Sequence, residues 1–348
     1  MSMLDLRPYA ASPLVTVVIP CRNEEAAISA CLESVCRQTV TDTEILVVDG
    51  GSVDRTRDII AEWAERDRRV QLLDNPDGIV PIALNIALDQ AKGRWLVRVD
   101  AHCTIPNDYV ERLVGHLESG VGGAGGRKLG VGTTFTGKAI ALAMSSKAGV
   151  GGSAYHHADS VQFVDHIPFG AYPVELARQI GGWNEKLSVN QDFEFDVRVC
   201  QAGHRLLLDP SIVIDWENRQ TIEALFRQYH RYGRGKVRVM RLHPSSTKLR
   251  HLVAPAFVAA LVAAVLPWRW KYLAIARALL AGSYVTLVAI AGVADGKPLP
   301  LRQRWRVIVS LMTMHVSWGI GFWQGVLDVL TGNDDSVLVD ADRVRPSA

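Results

Sequence analysis

Short runs of β-branched and aliphatic residues alternate with segments of helical periodicity over the first hundred residues of the chain. This alternation constrains the fold more than any other feature, because parallel strands need crossover connections, which are usually helices. It predicts an α/β domain whose mostly parallel sheet is flanked by helices on both faces. The predicted strands are 15–20, 44–49, 70–73 and 95–99, and the predicted helices are 23–38, 54–66 and 82–91.

Polar residues follow each predicted strand at the point where it ends. In open parallel sheets, ligands bind at the carboxyl ends of the strands. A single polar strand end is uninformative, since turns favour Asp, Asn and Gly. Four in succession predict a binding site at this edge of the sheet. The clusters are 22–24, 49–52, 75–77 and 100–102.

Composition and missing motifs exclude several functional classes. The net charge of +2 provides no global basic field, so no nucleic-acid partner is expected. The five cysteines include no CxxC pair, which argues against a zinc cluster or disulfide framework and fits a reducing compartment. No GxGxxG motif follows a predicted strand, and no P-loop motif is present. The glycine-rich segment 120–152 is expected to be a surface loop or a lid.

The region 250–331 is markedly more apolar than the sequence before it. About 20 apolar residues are needed to cross a bilayer upright. The region is therefore predicted to be helical, with up to three transmembrane segments. A buried helical subdomain and helices lying in the membrane interface are alternatives that the sequence leaves open. The apolar segments are 252–267, 272–293 and 307–330.

Charges around these segments indicate a location. Residues 1–13 have no basic start followed by an apolar run, so no signal peptide is evident. The basic loop 294–306 is expected on the cytoplasmic side, and the polar tail 332–348 on the outside. The predicted location is the cell membrane, inner or plasma, with the large first domain (14–245) in the cytoplasm.

Asp100 and His102 come directly after the fourth predicted strand, and they can face one ion across a turn. Mg²⁺ prefers oxygen ligands and shares them with substrate phosphates. Mn²⁺ tolerates imidazole better than Mg²⁺ does. The pair alone is a weak signal for a metal, because Asp is common in turns and His is common at surfaces.

Two further motifs lie in the second half of this domain. Asp192 falls near the start of a predicted helix, where the helix dipole stabilises a carboxylate. Taken alone, a capping Asp is the simpler interpretation. The run 227–236 is basic and aromatic, which is typical of a solvated face or a membrane-proximal flank. Such a run can instead bind a diphosphate, because Arg offers paired donors.

The order and spacing of these motifs carry more information than any one of them. The chain resembles glycosyltransferase family 2, the inverting transferases of GT-A fold, over roughly residues 14–245. The matching segments are 18–24, 47–56, 83–88, 100–102 at the position of the family's DxD, 190–192 at its ED pair, and 228–232 as a variant of its QxxRW.

Within that family, the chain is most similar to exopolysaccharide transferases of the succinoglycan-biosynthesis glucosyltransferase type, which are membrane proteins. The shared features are a DAH in place of DxD, an NQD, the stretch 164–171 and the run 235–239 before an apolar C-terminus. His102 takes the place of the second acidic residue of DxD. Tyr232 takes the place of the Trp of QxxRW, a substitution that argues against processive polymerisation.

The resemblance implies a role for each motif. A nucleotide-sugar donor, a UDP-sugar in the first instance, would bind at the strand ends with Mn²⁺ or Mg²⁺ on its diphosphate. A polyprenyl-diphosphate-linked sugar is the implied acceptor, and membrane lipids are further partners. The implied general base is Asp192, the metal ligands are Asp100 and His102, the donor-binding residues are Pro20, Arg22, Glu24, Asp49, Asp77, Asn85 and Asp100, and the acceptor- or diphosphate-binding residues are Gln191, Gln228, Arg231 and Tyr232.

Two other functional classes remain as alternatives. A nucleotidyltransferase also uses an α/β fold, divalent metals and carboxylates, but it needs a phosphate loop rich in Gly and Lys near the first strand. The loop 20–26 contains neither residue. A non-catalytic membrane scaffold with a degenerate transferase fold is the second alternative, because His102 departs from the DxD pattern. Metal-dependent turnover of the donor distinguishes it from an enzyme.

Overall fold

The structure, a computed structural model, describes residues 14–265 and 271–333, so most of the predicted polar tail 332–348 lies outside the described residues. The chain divides into two compact units. The first contains the residues up to Gly125 together with Phe169–Trp183, and the second contains Gly126–Pro168 and the residues from Asn184 onward.

The strands are β1 (Val15–Cys21), β2 (Thr43–Asp49), β3 (Val70–Asp74), β4 (Trp95–Arg98), β5 (Cys103–Thr104), β6 (Gly123–Val131), β7 (Gln162–Val164), β8 (Ala171–Pro173) and β9 (Leu206–Glu217). The helices of the first unit are α1 (Ile28–Cys36), α2 (Thr56–Arg66), α3 (Val80–Gln90), α4 (Tyr109–Glu118) and α8 (Val174–Gln179). Those of the second are α5 (Phe135–Met144), α6 (Lys147–Val150), α7 (Ala154–His157), α9 (Gln191–Gln201), α10 (Ile222–Leu242), α11 (Arg250–Val265), α12 (Lys271–Asp295) and α13 (Trp305–Thr331), with short 3-10 turns at Pro244–Ser246 and Leu301–Gln303.

The sheet of the first unit has the strand order β3-β2-β1-β4-β8, followed by the first residues of β6. Strands β1 to β4 run parallel, as the sequence predicts. Strand β8 is antiparallel to β4, and Ala124 of β6 faces Ala171 of β8 in antiparallel register. The α/β prediction is confirmed, but the sheet is mixed. A strand as short as β8 has no periodicity from which its direction can be read.

Strands β1 and β2 form the centre of the first unit, and every residue in them is buried. Parallel strands that are covered on both faces require such continuous apolar runs. Pro20 lacks an N–H donor, which normally excludes Pro from an inner strand. Here β4 pairs with β1 only as far as Val18, so Pro20 interrupts no pairing with β4.

Helix α1 begins later than the periodicity predicts, at Ile28 instead of residue 23. Asn23 has a φ of 54°, a left-handed conformation that does not continue into a helix. Its backbone N–H donates to Ser52 Oγ at 2.8 Å, and its Oδ1 accepts from the Val53 N–H at 2.9 Å. The segment between β1 and α1 is therefore a loop held against the loop that follows β2.

The glycine-rich segment 120–152 is mostly regular structure, and the prediction of a loop or lid was wrong. It contains the nine-residue strand β6 and the ten-residue helix α5. A Cβ on Gly126 would lie 2.4 Å from the carbonyl oxygen of Ile212 in β9. The glycine thus allows two backbones to approach closely, which is one reason for glycine inside a strand.

The second unit is built around the contact between α10 and α13. A Cβ on Gly233 of α10 would lie 2.0 Å from the carbonyl oxygen of Trp318 on α13. The Arg234 guanidinium of α10 forms a buried ion pair with Asp328 of α13. Because the glycine removes a side chain from the contact, the two helices approach closely enough for this pair to form.

Three helices, α11, α12 and α13, occupy the predicted apolar segments, and positions 266–267 of the first segment lie outside the described residues. His315 on α13 has two polar partners, with Nδ1 3.0 Å from Tyr284 Oη and Nε2 2.8 Å from the carbonyl oxygen of Ala148. Within the described ranges, no helix has both the length and the apolar character needed to cross a membrane. The prediction of transmembrane segments is therefore not supported.

Candidate active site

The loop after β1 is tied to the loop after β2 by several hydrogen bonds. The Glu24 N–H donates to Thr56 Oγ1 at 2.7 Å. The Arg55 N–H donates to Glu25 Oε2 at 3.1 Å, and the Glu25 N–H donates to Asp54 Oδ2 at 3.2 Å. These bonds fix the backbone on which two predicted donor-binding residues, Arg22 and Glu24, are carried.

Asp49 ends β2 with a fully buried carboxylate. Its Oδ2 accepts from Arg57 Nη1 at 2.9 Å and from the backbone N–H of Gly51 at 3.2 Å. Its Oδ1 accepts from Ser52 Oγ at 2.5 Å. Arg57 also contacts Asp74 at the end of β3, at 2.7 Å. Asp49 thus shapes the loop that follows β2 and links it to the end of β3.

Arg22 carries a buried polar atom that lacks a partner. Among the described residues, its Nε has no hydrogen-bond acceptor. A Cβ on Gly78 would lie 3.0 Å from Arg22 Nη1, so the guanidinium sits against the turn after β3. Asp77 is the preceding residue of that turn and is exposed. An unpaired guanidinium donor at this edge of the sheet favours an anionic ligand.

The side chain of Asn85 in α3 is hydrogen-bonded to the protein backbone. Its Oδ1 accepts from the Trp183 N–H at 2.8 Å, and its Nδ2 donates to the Trp183 carbonyl at 2.9 Å. Gly182 has a φ of 67° and approaches Asn85 so closely that a Cβ would meet Oδ1 at 2.4 Å. Asn85 thus fixes the turn at Gly182 and Trp183, where the segment Phe169–Trp183 of the first unit ends.

Asp100 and His102, the predicted metal ligands, each have a protein partner. Asp100 forms two contacts with the Arg98 guanidinium, at 2.8 and 3.3 Å. His102 Nδ1 lies 3.0 Å from Glu24 Oε1. In the described part of the chain, no group of three or more His, Cys, Asp or Glu side chains is placed to hold a metal ion.

These residues nevertheless fit a divalent ion. A histidine that binds a metal usually donates its other ring N–H to a carboxylate, and the contact between His102 and Glu24 has that form. Each carboxylate oxygen of Asp100 has two acceptor positions, so pairing with Arg98 does not exclude an ion. The remaining ligands would come from substrate phosphates and water, as is usual for Mg²⁺ sites.

In the second unit, Asp192 lies in the first turn of α9. Its Oδ1 accepts from the Phe193 N–H at 2.8 Å. Asn190, directly before the helix, has a φ of 59°, and its Nδ2 donates to the Tyr232 carbonyl of α10 at 3.1 Å. Gln191 is buried, with 7% of its surface exposed. The turn 189–191 therefore presents Asp192 at a defined position relative to α10.

Two half-buried phenols lie close to Asp192. Burial raises the pKa of Tyr155 to about 12, and the negative charge of Asp192 contributes to the rise. Burial and the charge of Asp192 also raise the pKa of Tyr232. Both phenols therefore remain protonated at neutral pH and are hydrogen-bond donors beside the carboxylate.

Gln228 and Arg231 lie on α10 with Tyr232. Gln228 Nε2 lies 3.1 Å from Tyr232 Oη. Gln228 is 3% exposed, and among the described residues its Oε1 has no hydrogen-bond partner. A buried amide oxygen without a donor is costly, so this atom favours a ligand that carries a hydroxyl or an N–H group.

His166 and Asp196 form a pair that the sequence did not predict, although His166 lies in the stretch 164–171 that the resemblance to the family includes. His166 Nδ1 lies 2.7 Å from Asp196 Oδ2, which also accepts from the Ile167 N–H at 2.9 Å. Asp196 is fully buried. Burial opposes protonation of His166, but the bond to Asp196 and the charge of Asp192 raise its pKa.

The spacing of Asp192 and Asp196 was a signal for Asp196, whereas no spacing indicated His166 as its partner. Asp192 and Asp196 are four residues apart in α9 and therefore share one face of the helix. The negative charges of both carboxylates raise the pKa of His166. In the second unit, four residues from the family motifs thus lie close together, namely Asp192, Tyr232, Gln228 and His166. In the first unit, Glu24 lies next to His102.

The chain combines a mixed α/β sheet that has polar strand ends with a helix, α9, that carries Asp192. Comparison with known proteins identifies this combination as a glycosyltransferase. It matches "Glycosyl transferase family 2" over residues 16–164 and "Glycosyl transferase family group 2" over residues 95–296. Succinoglycan biosynthesis protein ExoA from Rhizobium meliloti (strain 1021) is 34% identical over 325 residues, which are 90% of this chain and 94% of that protein. The chain belongs to glycosyltransferase family 2.

A second relative and two solved structures extend the comparison. The dolichyl N-acetyl-alpha-D-glucosaminyl phosphate 3-beta-D-2,3-diacetamido-2,3-dideoxy-beta-D-glucuronosyltransferase of Methanococcus voltae is 25% identical over 238 residues, 65% of this chain and 74% of that protein. Mannosyltransferase PcManGT from Pyrobaculum calidifontis, solved with GDP-Man and Mn2+, has a TM-score of 0.61 and 19% identity, covering 92% of this chain and 88% of that one. GalNAc-T7, solved with UDP, GalNAc and Mn2+, has a TM-score of 0.53 and 15% identity, covering 74% and 54%. At such identities the likeness shows the fold alone, which is of GT-A type.

Proposed function

We propose that this glycosyltransferase is an inverting enzyme that moves a hexose from a nucleotide diphosphate sugar, a UDP-sugar, to a lipid-linked or polysaccharide-precursor acceptor in exopolysaccharide or cell-envelope glycan synthesis. The observation that carries the proposal is the surroundings of Asp192, a carboxylate in the first turn of α9 beside two protonated phenols and His166, whose pKa its charge helps to raise. The relatives named above support the pathway, since one is a succinoglycan biosynthesis protein.

In this proposal, Asp192 takes the proton from an acceptor hydroxyl as that oxygen attacks the anomeric carbon of the donor. The bond to the nucleotide diphosphate breaks on the opposite face, so a single displacement inverts the anomeric configuration. A glycosidase needs a second carboxyl group as acid. The diphosphate is already a good leaving group, so one base is sufficient.

The donor is assigned to the first unit. The unpaired Arg22 Nε and the loop ending at Glu24 are proposed to contact the nucleotide, with Asp77 and the backbone at Pro20 beside them. Asp49 is proposed to act on the nucleotide through the loop that it shapes. Both polar atoms of the Asn85 amide are hydrogen-bonded to the backbone of Trp183. Asn85 is therefore proposed to affect donor binding by fixing this turn, without contacting the donor.

Asp100 and His102 are the residues proposed to hold a divalent ion, with His102 oriented by Glu24. The ion, Mn²⁺ or Mg²⁺, would neutralise charge on the departing diphosphate as a Lewis acid. Mn²⁺ occurs in two solved structures of the same fold, which supports this assignment. The imidazole ligand favours Mn²⁺ over Mg²⁺.

The acceptor is assigned to the second unit. Gln228 offers an unpaired carbonyl oxygen to a sugar hydroxyl, and Tyr232 offers a protonated phenol. Arg231, on the same helix, and Gln191, next to Asp192, complete the proposed acceptor- or diphosphate-binding set. A polyprenyl-diphosphate-linked sugar is the proposed acceptor.

A membrane surface is the proposed location of such an acceptor, and α12 supports it. Ile275, Leu279, Leu287 and Ile290 on this helix are all more than half exposed, at 56, 67, 66 and 62%. Exposed apolar patches of this kind mark contacts with proteins or membranes. The segment 294–306 that follows is rich in Lys and Arg, which anionic lipid attracts. Sedimentation with anionic vesicles, against neutral vesicles, tests this assignment.

A donor screen with the purified chain tests the function. Released nucleoside diphosphate is measured for a panel of nucleotide sugars, with and without Mn²⁺. The proposal predicts metal-dependent release from at least one UDP-hexose. Release of inorganic pyrophosphate would instead indicate a nucleotidyltransferase, and no turnover of any donor would indicate a non-catalytic scaffold.

A further inference from the structure

Lys236 of α10 is a buried lysine that forms no ion pair with a carboxylate among the described residues. Only 5% of the residue is exposed. Its Nζ lies 3.4 Å from the centroid of the Phe193 ring. In the part of the chain that the structure describes, Nζ takes part in no hydrogen bond and no ion pair. Burial lowers the pKa of Lys236 to about 7, and the positive charge of Arg250 contributes to the decrease.

Two more cations, Lys248 and Arg250, lie just before α11 and at its first residue. Lys248 Nζ pairs with Asp165 Oδ2 at 2.6 Å, and both side chains are nearly half exposed. Arg250 Nη1 donates to the carbonyl oxygen of Gly152 at 3.0 Å, a neutral partner, and its charge also acts on Asp165. We name Lys236, Lys248, Arg250, His251 and Asp165 the Lys236 cluster.

His251 and Phe193 hold this cluster together. The His251 ring stands edge-on to Phe193, with centroids 6.2 Å apart, while Lys236 lies over the same phenyl ring. His251 Nδ1 accepts from the Lys248 N–H at 3.1 Å. Burial lowers the pKa of His251 to about 3, with further decreases from Lys236 and Arg250, so this imidazole is neutral.

The charges of the Lys236 cluster do not balance. Lys236, Lys248 and Arg250 face two carboxylates, Asp165, which is bound to Lys248, and Asp192, whose charge also acts on Lys236, so one positive charge is left over when Lys236 is protonated. A buried ammonium without an anionic partner is unfavourable, because burial removes its hydration without supplying an opposite charge. A phosphate group would supply that charge, to Lys236 as a point charge and to Arg250 through paired donors.

We propose that the Lys236 cluster binds the phosphate groups of a diphosphate-bearing substrate, and that this substrate is the acceptor. The inference rests on the proposed function, in which Asp192 deprotonates the acceptor, because Phe193 follows Asp192 directly in the chain. The donor's diphosphate has its own proposed ligands, Asp100 and His102, in the first unit. The acceptor's diphosphate is therefore the group assigned to the Lys236 cluster.

Calorimetric titration of the full chain tests the site with three probes. These are inorganic pyrophosphate, farnesyl diphosphate and UDP, each added with a chelator present so that metal-dependent donor binding is suppressed. The expected result is binding of pyrophosphate and farnesyl diphosphate, with an affinity that falls as salt concentration rises. If UDP alone binds, the nucleotide is the source of the diphosphate and the acceptor assignment is overturned.

The informative variant is Lys236→Met, with Lys138→Met as the control. Lys138 is an exposed lysine of α5 in the same unit. Lys236→Met is expected to weaken pyrophosphate and farnesyl diphosphate at least tenfold, whereas the control leaves both affinities unchanged. Equal affinities for the wild type and Lys236→Met would overturn the proposal. Arg250→Gln is the second variant, for which the same loss is expected.

Stability distinguishes a binding residue from a structural one. Replacing an unpaired buried cation by an apolar side chain of similar size is expected to raise the melting temperature. A structural Lys236 would instead give a lower melting temperature together with weaker binding. The proposed function fails separately, because an inactive chain in the donor screen can still bind pyrophosphate through the Lys236 cluster.

Discussion

The pair formed by His166 and the buried Asp196 leads to the most specific prediction about stability. Replacing Asp196 by Asn preserves the size of the side chain and removes its charge. A hydrogen bond to a charged group contributes about 1.5–3 kcal/mol, against roughly 0.5–1.5 kcal/mol for a neutral one. Asp196 accepts from His166 Nδ1 as well as from the Ile167 N–H, and the bond from His166 is the one in which both partners can carry charge. The variant should therefore lose about 1–2 kcal/mol when His166 is protonated.

The loss should depend on pH. The pKa of His166 is raised in the folded state from its ordinary value of 6.5 by the bond to Asp196 and the charge of Asp192, against the effect of burial. Stabilisation by the charged pair is then complete below pH 6.5 and is lost as the pH rises through the raised pKa. Asp196→Asn should be more destabilising at pH 6 than at pH 9.

Thermal melting of the full chain measures this effect. One kcal/mol shifts the melting temperature by about 2–4 °C in a domain of this size class, so a decrease of roughly 2–8 °C is expected at pH 6 and a smaller one at pH 9. In a His166→Gln background, Asp196→Asn should lose its pH dependence, since no imidazole remains to titrate. Equal decreases at both pH values in the wild-type background would refute the reasoning.

Two other regions give predictions with clear controls. Gly233→Ala would place a Cβ 2.0 Å from the Trp318 carbonyl oxygen, so thermal melting is expected to show a destabilisation of about 1–3 kcal/mol. The control is Gly282→Ala, whose Cβ meets no described atom within 4 Å, so it should be neutral or stabilising. His102→Asp restores two carboxylates and should shift the metal preference from Mn²⁺ towards Mg²⁺, measured as donor turnover with each ion. Glu24→Gln should weaken the response to Mn²⁺ through the orientation of His102, and an unchanged Mn²⁺ response would contradict the metal assignment.

The parallel half of the first sheet was predictable because its strands are long and buried on both faces. Strands β1 and β2 have continuous apolar runs, and their polar ends followed from general rules for open sheets. The start of α1 was not predictable. Asn23 breaks the helix through hydrogen bonds to Ser52 and Val53, which are about thirty residues away, and periodicity reports only local preference.

Burial of charge was the hardest feature to predict. The basic run 227–236 looked like a solvated face, yet Arg234 and Lys236 are only 8% and 5% exposed. The reason is tertiary, because Gly233 and Gly235 allow close neighbours to cover this part of α10. His166 was missed for a similar reason, since its partner Asp196 is thirty residues away and no spacing rule connects them.

Asp192→Asn tests the central claim, that this chain transfers a sugar with Asp192 as the general base. A general base typically contributes a factor of about 10²–10⁴ to the rate. We expect Asp192→Asn to lower the kcat for sugar transfer by about that factor, while the Kd for the UDP-sugar in the presence of Mn²⁺ stays the same. A variant that transfers sugar at the wild-type rate would contradict the account.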